Sequence, residues 1–237
     1  MTQEVAGVIP SSEWKLKKLG EEWQPGENLS NAIGQGFVLV TPLQMAVAYN
    51  AIGLEGKVVK PFLIKKILDQ DSNVIQEFEA KVLRDATQPN EYGVTIAPET
   101  FRTVKEGMRN VVNGEGGTGR RVRLDGIEIA GKTGTTQVRS FSADEIYKRC
   151  DSRPIFLRHH GWFVAFAPIE KPEITVAVLA QHSCSGAAGA GPVAHDIFEA
   201  YFQKYHPEWI KAAADKRAEA KHKKPEAVPA SVLEEAE

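Results

Sequence analysis

The reading of this chain turns on Ile127-Glu128-Ile129-Ala130-Gly131-Lys132-Thr133-Gly134-Thr135-Thr136-Gln137-Val138. Its alternation and β-branched content predict a strand. Side chains alternate along a strand, which puts Lys132 and Gly134 on one face and Thr133 and Thr135 on the other. A cation, two hydroxyls and a position without a side chain then lie within two strand steps. Such an edge suits a carboxylate and lets a ligand lie against the backbone.

The stretch has a competing reading. Gly126 to Thr133 satisfies G-x-x-x-x-G-K-[ST], the phosphate-binding P-loop of a nucleotide hydrolase. That motif needs an apolar strand before it and a helix starting at the lysine. Arg120-Arg121-Val122-Arg123-Leu124-Asp125 is too charged for a buried parallel strand. Gly134-Thr135-Thr136 is a poor first helical turn. No apolar strand ends in an aspartate for magnesium: Ile174 to Ala180 runs into Gln181. Upstream, Gly114-Glu115-Gly116-Gly117-Thr118-Gly119 matches the dinucleotide pattern G-x-G-x-x-G. It follows a predicted helix and leads into a charged strand, so it reads as a flexible connection.

Composition narrows the classes. The 237 residues suffice for one large domain or two small ones. Apolar content of 42% and charged content of 25% are those of a soluble globular protein. A net charge of −2 argues against nucleic acid as a partner. The longest apolar runs fall far short of the ~20 residues of a membrane span, and Met1-Thr2-Gln3-Glu4 opens no secretion signal. Taken alone, the chain reads as cytoplasmic. Cys150 and Cys184 neither require nor exclude an oxidising compartment.

Outward from the central stretch, Pro98 to Val112 predicts a helix with Phe101, Val104, Lys105 and Met108 at helical spacing. Thr41 to Gly53 is a second helix, with Thr41 as N-cap, Pro42 at the first turn and apolar residues nearly all round, so deep burial is expected. Residues 1–30 are turn-rich around a short helix, Ser12 to Leu19, capped by Ser11 or Ser12. Ile33-Gly34-Gln35-Gly36 is a loop that permits close backbone approach. Phe62 to Leu68 and Val74 to Phe78 predict a surface hairpin. Ser140 to Arg158 is a polar, basic loop or short helix. Gly161 to Ala167 and Ile174 to Ala180 form a second hairpin, apolar on both faces, so helices should cover both sides of its sheet. Pro192 to Tyr205 is a helix with Val193, Ile197, Tyr201 and Phe202 roughly on one face. From Pro207 the composition turns to Ala, Lys and Glu, and residues 207–237 read as a mobile tail.

Lys132-Thr133-Gly134-Thr135 resembles the third signature of the penicillin-recognising serine transferases. Its flanks extend the likeness. In order they are Val8-Ile9-Pro10-Ser11-Ser12-Glu13-Trp14-Lys15, Ala32-Ile33-Gly34-Gln35-Gly36, Thr41-Pro42-Leu43-Gln44-Met45-Ala46, Gly117-Thr118-Gly119 and Trp162 to Pro168. Residues 5 to about 205 resemble the second half of a class B penicillin-binding protein transpeptidase domain, nearest to penicillin-binding protein 2 of the elongation type. The resemblance implies an α+β fold, an antiparallel sheet with helices on both faces, incomplete in this chain. Residues 1–206 would be the C-terminal part of that domain. It implies a peptidoglycan D,D-transpeptidase acting by serine acyl transfer without metal or cofactor, with stem peptides as substrates and β-lactams as traps. Lys132, Thr133 and Thr135 would hold the terminal carboxylate, Gly134 would leave room for the substrate backbone, and the Thr135 N–H would form half of the oxyanion hole. Implied partners are a SEDS-type glycosyltransferase and the elongation machinery. The implied place is the periplasmic face of the inner membrane, by an anchor that these residues do not contain. That compartment raises a Cys150–Cys184 disulfide.

One departure matters. The family's first motif, S-x-x-K, supplies the nucleophile and its base, and here that spacing occurs only at Ser12-Glu13-Trp14-Lys15. Ser12 there aligns with a non-catalytic family segment. The second motif, S-x-N, is absent. The resemblance therefore implies a start downstream of both motifs and a fragment that binds without acylating, with an exposed sheet edge and poor stability by itself. The alternative is a non-catalytic half-domain that binds stem peptides or a cell-wall partner. His159, His160, His182 and the two cysteines lack zinc-finger spacing. Arg120, Arg121 and Arg123 read as a solvated face, and Arg139 as a surface charge that could also meet an acidic ligand.

Overall fold

The computed structural model describes residues 5–139 and 141–222. At its centre is a three-stranded antiparallel sheet of β5 (Ala130–Thr136), β6 (His160–Ala167) and β7 (Ile174–Ala180), with β6 in the middle. Seven pairs, from Ala130↔Phe166 to Thr136↔His160, fix the register of β5 on β6. That register puts Lys132 beside Val164 and Gly134 beside Trp162, and Thr133 and Thr135 beside Phe163 and Gly161.

Strand β6 is apolar on both faces because both are covered. Phe163, Ala165 and Ala167 join Val112, Val122, Ile129 and three residues of α6 (Gly191–Tyr205), namely Ala194, Phe198 and Phe202. On the other face, Phe166 meets Met108 of α4 (Pro98–Asn113), with Tyr49 and Ile52 of α3 (Pro42–Gly53) packed beside them. A Cβ on Gly53 would come within 3.1 Å of the Phe166 ring. This is the α+β fold with helices on both faces that the resemblance implies.

Several elements depart from the sequence reading. Helix α3 is capped by Thr41 and Gln44 in a reciprocal box, as its sequence suggests. Yet only Gly53 is buried: Gln44, Met45, Ala48 and Tyr49 of α3 line a groove rather than a core, and Leu43 is exposed on another side. On α4 the buried stripe is Phe101, Lys105, Met108 and Val112, and Val104 faces out. On α6 the buried residues are Gly191, Ala194, Phe198 and Phe202. Val193 and Ile197 sit one residue round on the exposed side, since the small Ala194 lets the helix approach the sheet closely. The turn-rich reading of residues 1–30 misses a second helix, α2 (Pro25–Ala32), which Pro25 opens after α1 (Ser12–Leu19), whose cap is Ser11.

The surface hairpin is β2 (Lys66–Leu68) with β3 (Val74–Glu77), and a second pair, β1 (Lys57–Val59) with β4 (Val82–Asp85), flanks it. The Gly114–Gly119 segment is built rather than flexible. The Gly119 N–H donates to the Val111 carbonyl at 2.8 Å, and a Cβ at Gly117 would strike that carbonyl. It leads into a 3-10 turn, Arg120–Val122, and not a strand. Short helical turns, including α5 (Ala143–Ile146), occupy the loop before β6.

Pro207–His222 forms α7. Trp209 stacks on His206 at 4.0 Å between ring centroids, Ala213 closes on Gly126, and Arg217 pairs with Asp125 at 2.8 Å. The first part of the expected tail is thus held against the body; residues 223–237 lie outside the described ones. No described helix is long and apolar enough to cross a membrane.

Candidate active site

Strand β5 forms one edge of the sheet, and a groove of about 880 Å³ opens along it. Lys132, Thr133, Gly134 and Thr135 all line this groove. Alternation does separate Lys132 from the hydroxyls, but on an edge strand side chains of either face reach the rim. The opposite wall comes from α3 (Met45, Tyr49) and from two extended segments joined by the Val8–Leu39 bridge. That bridge carries bonds of 2.7 and 3.0 Å, and Gln44 ties the segment to α3 by donating to the Val5 carbonyl at 3.1 Å. Burial pushes the Tyr49 phenol above its ordinary pKa, so it stays neutral.

Lys132 is the one charged side chain lining the groove among the described residues. Its ammonium donates to the Thr133 carbonyl at 2.9 Å, and no described carboxylate pairs with it. An exposed cation over apolar walls attracts a carboxylate more strongly than the same cation in open water. The Thr133 hydroxyl lies 3.0 Å from that of Thr118. Thr118 is carried there by the Gly114–Gly119 segment, whose glycines let it pack on the last turn of α4. Gly134 has a second role: a Cβ there would stand 3.2 Å from Trp162 Cβ. On the other face Gly186 presses on the backbone of Gly134 and Trp162, holding this part of β5 from behind.

Gln35 completes the rim. Its side-chain amide donates to the Thr135 carbonyl at 2.7 Å from a turn flanked by Gly34 and Gly36, with φ of 71° and 69°. In an antiparallel strand the N–H and C=O of one residue point the same way. A Thr135 carbonyl bonded from outside the sheet therefore places the Thr135 N–H on the outer edge as well. The sequence alone assigns neither Gln35 nor Thr118 to this edge. Their one local signal is the pair of glycines on either side of each.

The P-loop geometry is absent, since Lys132 and Thr133 sit inside an antiparallel strand and open no helix. The S-x-x-K spacing also carries no pair. Lys15 is buried and turned onto Glu27 at 2.7 Å, the Glu22 carbonyl at 2.9 Å and Glu21 at 3.4 Å, while Ser12 is exposed. The bond to Glu27 raises the Lys15 pKa and keeps it charged, the wrong direction for a base.

Arg139 pairs with Glu145 at 3.3 Å, and Arg120 and Arg123 donate to backbone carbonyls where α4 ends, Glu115 for Arg120 and Asn113 for Arg123. Cys150 and Cys184 form a disulfide, Cα–Cα 5.7 Å, joining the loop after β5 to the turn after β7. Nearby, Arg153 lies 3.8 Å over Phe141 and meets His159 Nε2 at 3.2 Å. The His160 and His182 rings meet edge to face at 4.7 Å. Burial, then neighbouring cationic groups, lowers the pKa of His159 and His160. A possible ligand trio, His195, Asp196 and Glu199, lies on α6 away from β5.

Comparison with known proteins agrees with this architecture. The family model for the penicillin binding protein transpeptidase domain matches residues 2–202. Peptidoglycan D,D-transpeptidase MrdA of Haemophilus influenzae is 34% identical over 209 residues, 87% of this chain and 30% of that protein. The Acinetobacter baumannii protein of the same name is 33% identical over 81% of this chain and 27% of its own length. The chain thus spans about 30% of the length of the curated relatives it matches. Among solved structures, penicillin-binding protein 2 of Helicobacter pylori, in a complex with MreC, superposes with a TM-score of 0.64 at 29% identity, covering 86% of this chain and 32% of that one. Penicillin-binding protein 2 of Pseudomonas aeruginosa, bound to WCK 5153, gives 0.63 at 31% identity, covering 86% and 40%. With this sheet, this edge strand and these relatives, the chain belongs to the penicillin-binding protein transpeptidase family, on its penicillin-binding protein 2-like side.

Proposed function

We propose that the β5 groove receives the C-terminal D-Ala end of a peptidoglycan stem peptide, and that the chain is the substrate-binding part of a D,D-transpeptidase. The observation that carries this reading is the unpaired Lys132 ammonium on an outer strand edge whose Thr135 N–H points the same way. Lys132, with the Thr133 and Thr135 hydroxyls, holds the terminal carboxylate. The peptide backbone lies antiparallel to β5 over Gly134. The Thr135 N–H meets the oxygen of the scissile carbonyl, where negative charge develops as a nucleophile adds. A β-lactam carries a carboxylate and a strained acyl group in the same relation, so it occupies the same edge.

In this reading the nucleophile is not Ser12, and no residue of the chain supplies it. The 237 residues then bind without acylating, which also serves the reading of a non-catalytic stem-peptide-binding half-domain. The Cys150–Cys184 disulfide supports an oxidising compartment, hence the periplasmic face of the inner membrane. The Helicobacter pylori neighbour's complex with MreC supports the elongation machinery as partner, with a SEDS-type glycosyltransferase beside it.

The test is exposure of the chain to a fluorescent penicillin, with gel readout of covalent label and a binding isotherm. Expected are no covalent label and saturable binding that Lys132→Ala weakens by about tenfold, the scale of one charge-assisted bond. Covalent label on Ser12 would overturn the assignment of the nucleophile. Binding indifferent to Lys132 would overturn the site.

A further inference from the structure

We infer that Gln35 is a gate on the substrate edge of β5, closed in this structure. The inference rests on the reading of that edge as the stem-peptide site. A peptide lying antiparallel along β5 must donate an N–H to an outward carbonyl of the strand. The outward carbonyl beside the oxyanion N–H is that of Thr135, and the Gln35 side-chain amide already donates to it at 2.7 Å. A carbonyl has two lone pairs, but the Gln35 amide stands on the outer side, where the incoming backbone must lie. Ligand and side chain therefore compete for one acceptor.

The turn that carries the gate is built for the purpose. Gly34 and Gly36 both take left-handed φ, a conformation that glycine adopts without strain. The Gln35 N–H donates back to the Ser30 carbonyl at 2.9 Å and the Gly34 N–H to that of Asn31 at 3.0 Å. The backbone of the turn is thus anchored to α2 independently of the side chain. Swinging the amide off Thr135 requires side-chain rotation alone. The amide is neutral, so a closed gate leaves the attraction of Lys132 for a carboxylate intact. A peptide would be drawn in by its carboxylate and then displace Gln35, which places discrimination on ligands that also offer a backbone N–H.

The experiment measures binding of diacetyl-L-Lys-D-Ala-D-Ala to the 237-residue chain by calorimetry or amide chemical shifts. The proteins are wild type, Gln35→Ala, Gln35→Met and Lys132→Ala. Methionine keeps the length of the side chain without a donor, and amide spectra establish that each variant is folded. Both Gln35 variants are expected to bind about three- to tenfold tighter than wild type, the equivalent of one net hydrogen bond no longer displaced. Acetate, which has a carboxylate and no N–H, should bind all Gln35 forms alike. Unchanged or weaker peptide binding in both Gln35 variants, with binding still weakened in Lys132→Ala, overturns the gate and leaves the site. Absence of peptide binding in every folded protein overturns the gate and the site together.

Discussion

The two halves of the molecule are built to different standards. All the buried Val, Leu, Ile, Met, Phe and Ala side chains among the described residues lie between Phe101 and Phe202. Residues 5–97 bury Pro10, Lys15, Gly53 and Gly56, while Leu63, Ile75 and Leu83 are more than half exposed. The groove lies on the seam. Its β5 wall belongs to the densely packed half, backed by Phe163 and Gly186, and its opposite wall belongs to the thinly packed one. A rigid strand edge facing a compliant wall suits a site in which the edge aligns the ligand and the wall admits it.

The sharpest way to break this contrast is a pair of core and surface truncations. Phe163→Ala should lower stability by roughly 3–5 kcal/mol in urea unfolding, whereas Ile75→Ala should stay within about 0.5 kcal/mol. Equal effects would mean that the halves share one core. Next in size is Gly186→Ala. Its Cβ would fall 2.2 Å from the Trp162 carbonyl and 2.5 Å from that of Gly134. We expect a loss of about 1–3 kcal/mol by the overpacking route, together with weaker ligand binding, because the strain falls on β5 itself. Thr118→Val removes the hydroxyl facing Thr133 and should cost about 0.5–1.5 kcal/mol, with ligand affinity falling by no more than tenfold.

The smallest effect is local and depends on pH. His159 and His160 have pKa values held below their unfolded value, so the folded state favours their neutral forms. His160 Nδ1 accepts from the His182 N–H at 3.0 Å, which protonation there would break. The unfolded chain binds more protons as pH falls through about 6.5, so stability contributed by these rings is present above that pH and declines below it. Amide protection factors, taken against the intrinsic exchange rate at each pH, should therefore fall in residues 147–160 between pH 7 and pH 5, while those of β7 change little. A uniform change across both would place the titration elsewhere.

Much of this architecture was legible in the sequence. The alternation of Ile127 to Val138, the doubly apolar Trp162 to Ala167 run and the Thr41-Pro42 cap give the sheet, its two helical covers and the site strand. The positions that misled are those where local pattern is silent about the far side. Nothing in Leu43 to Ile52 says that one flank of the helix lines a groove. Ala194 looks weaker than Val193 as a core residue until the close approach to β6 is known. Gln35 and Thr118 act across 100 and 15 residues of sequence, and a glycine-flanked polar residue gives no hint of its partner. The S-x-x-K spacing at Ser12 was resolved by long-range charge, through Glu27, rather than by spacing.

The central claim is that the outer edge of β5 is a carboxylate and backbone-binding strand. The most direct test is titration of the isotopically labelled chain with diacetyl-L-Lys-D-Ala-D-Ala, followed residue by residue through the backbone amides. The account predicts the largest shifts at Thr133 and Thr135, with smaller ones at Gln35 and Gly36, and a midpoint raised about tenfold in Lys132→Ala. Shifts that leave β5 untouched, or that appear at Gly126 to Gly131 with a nucleotide instead, would contradict it.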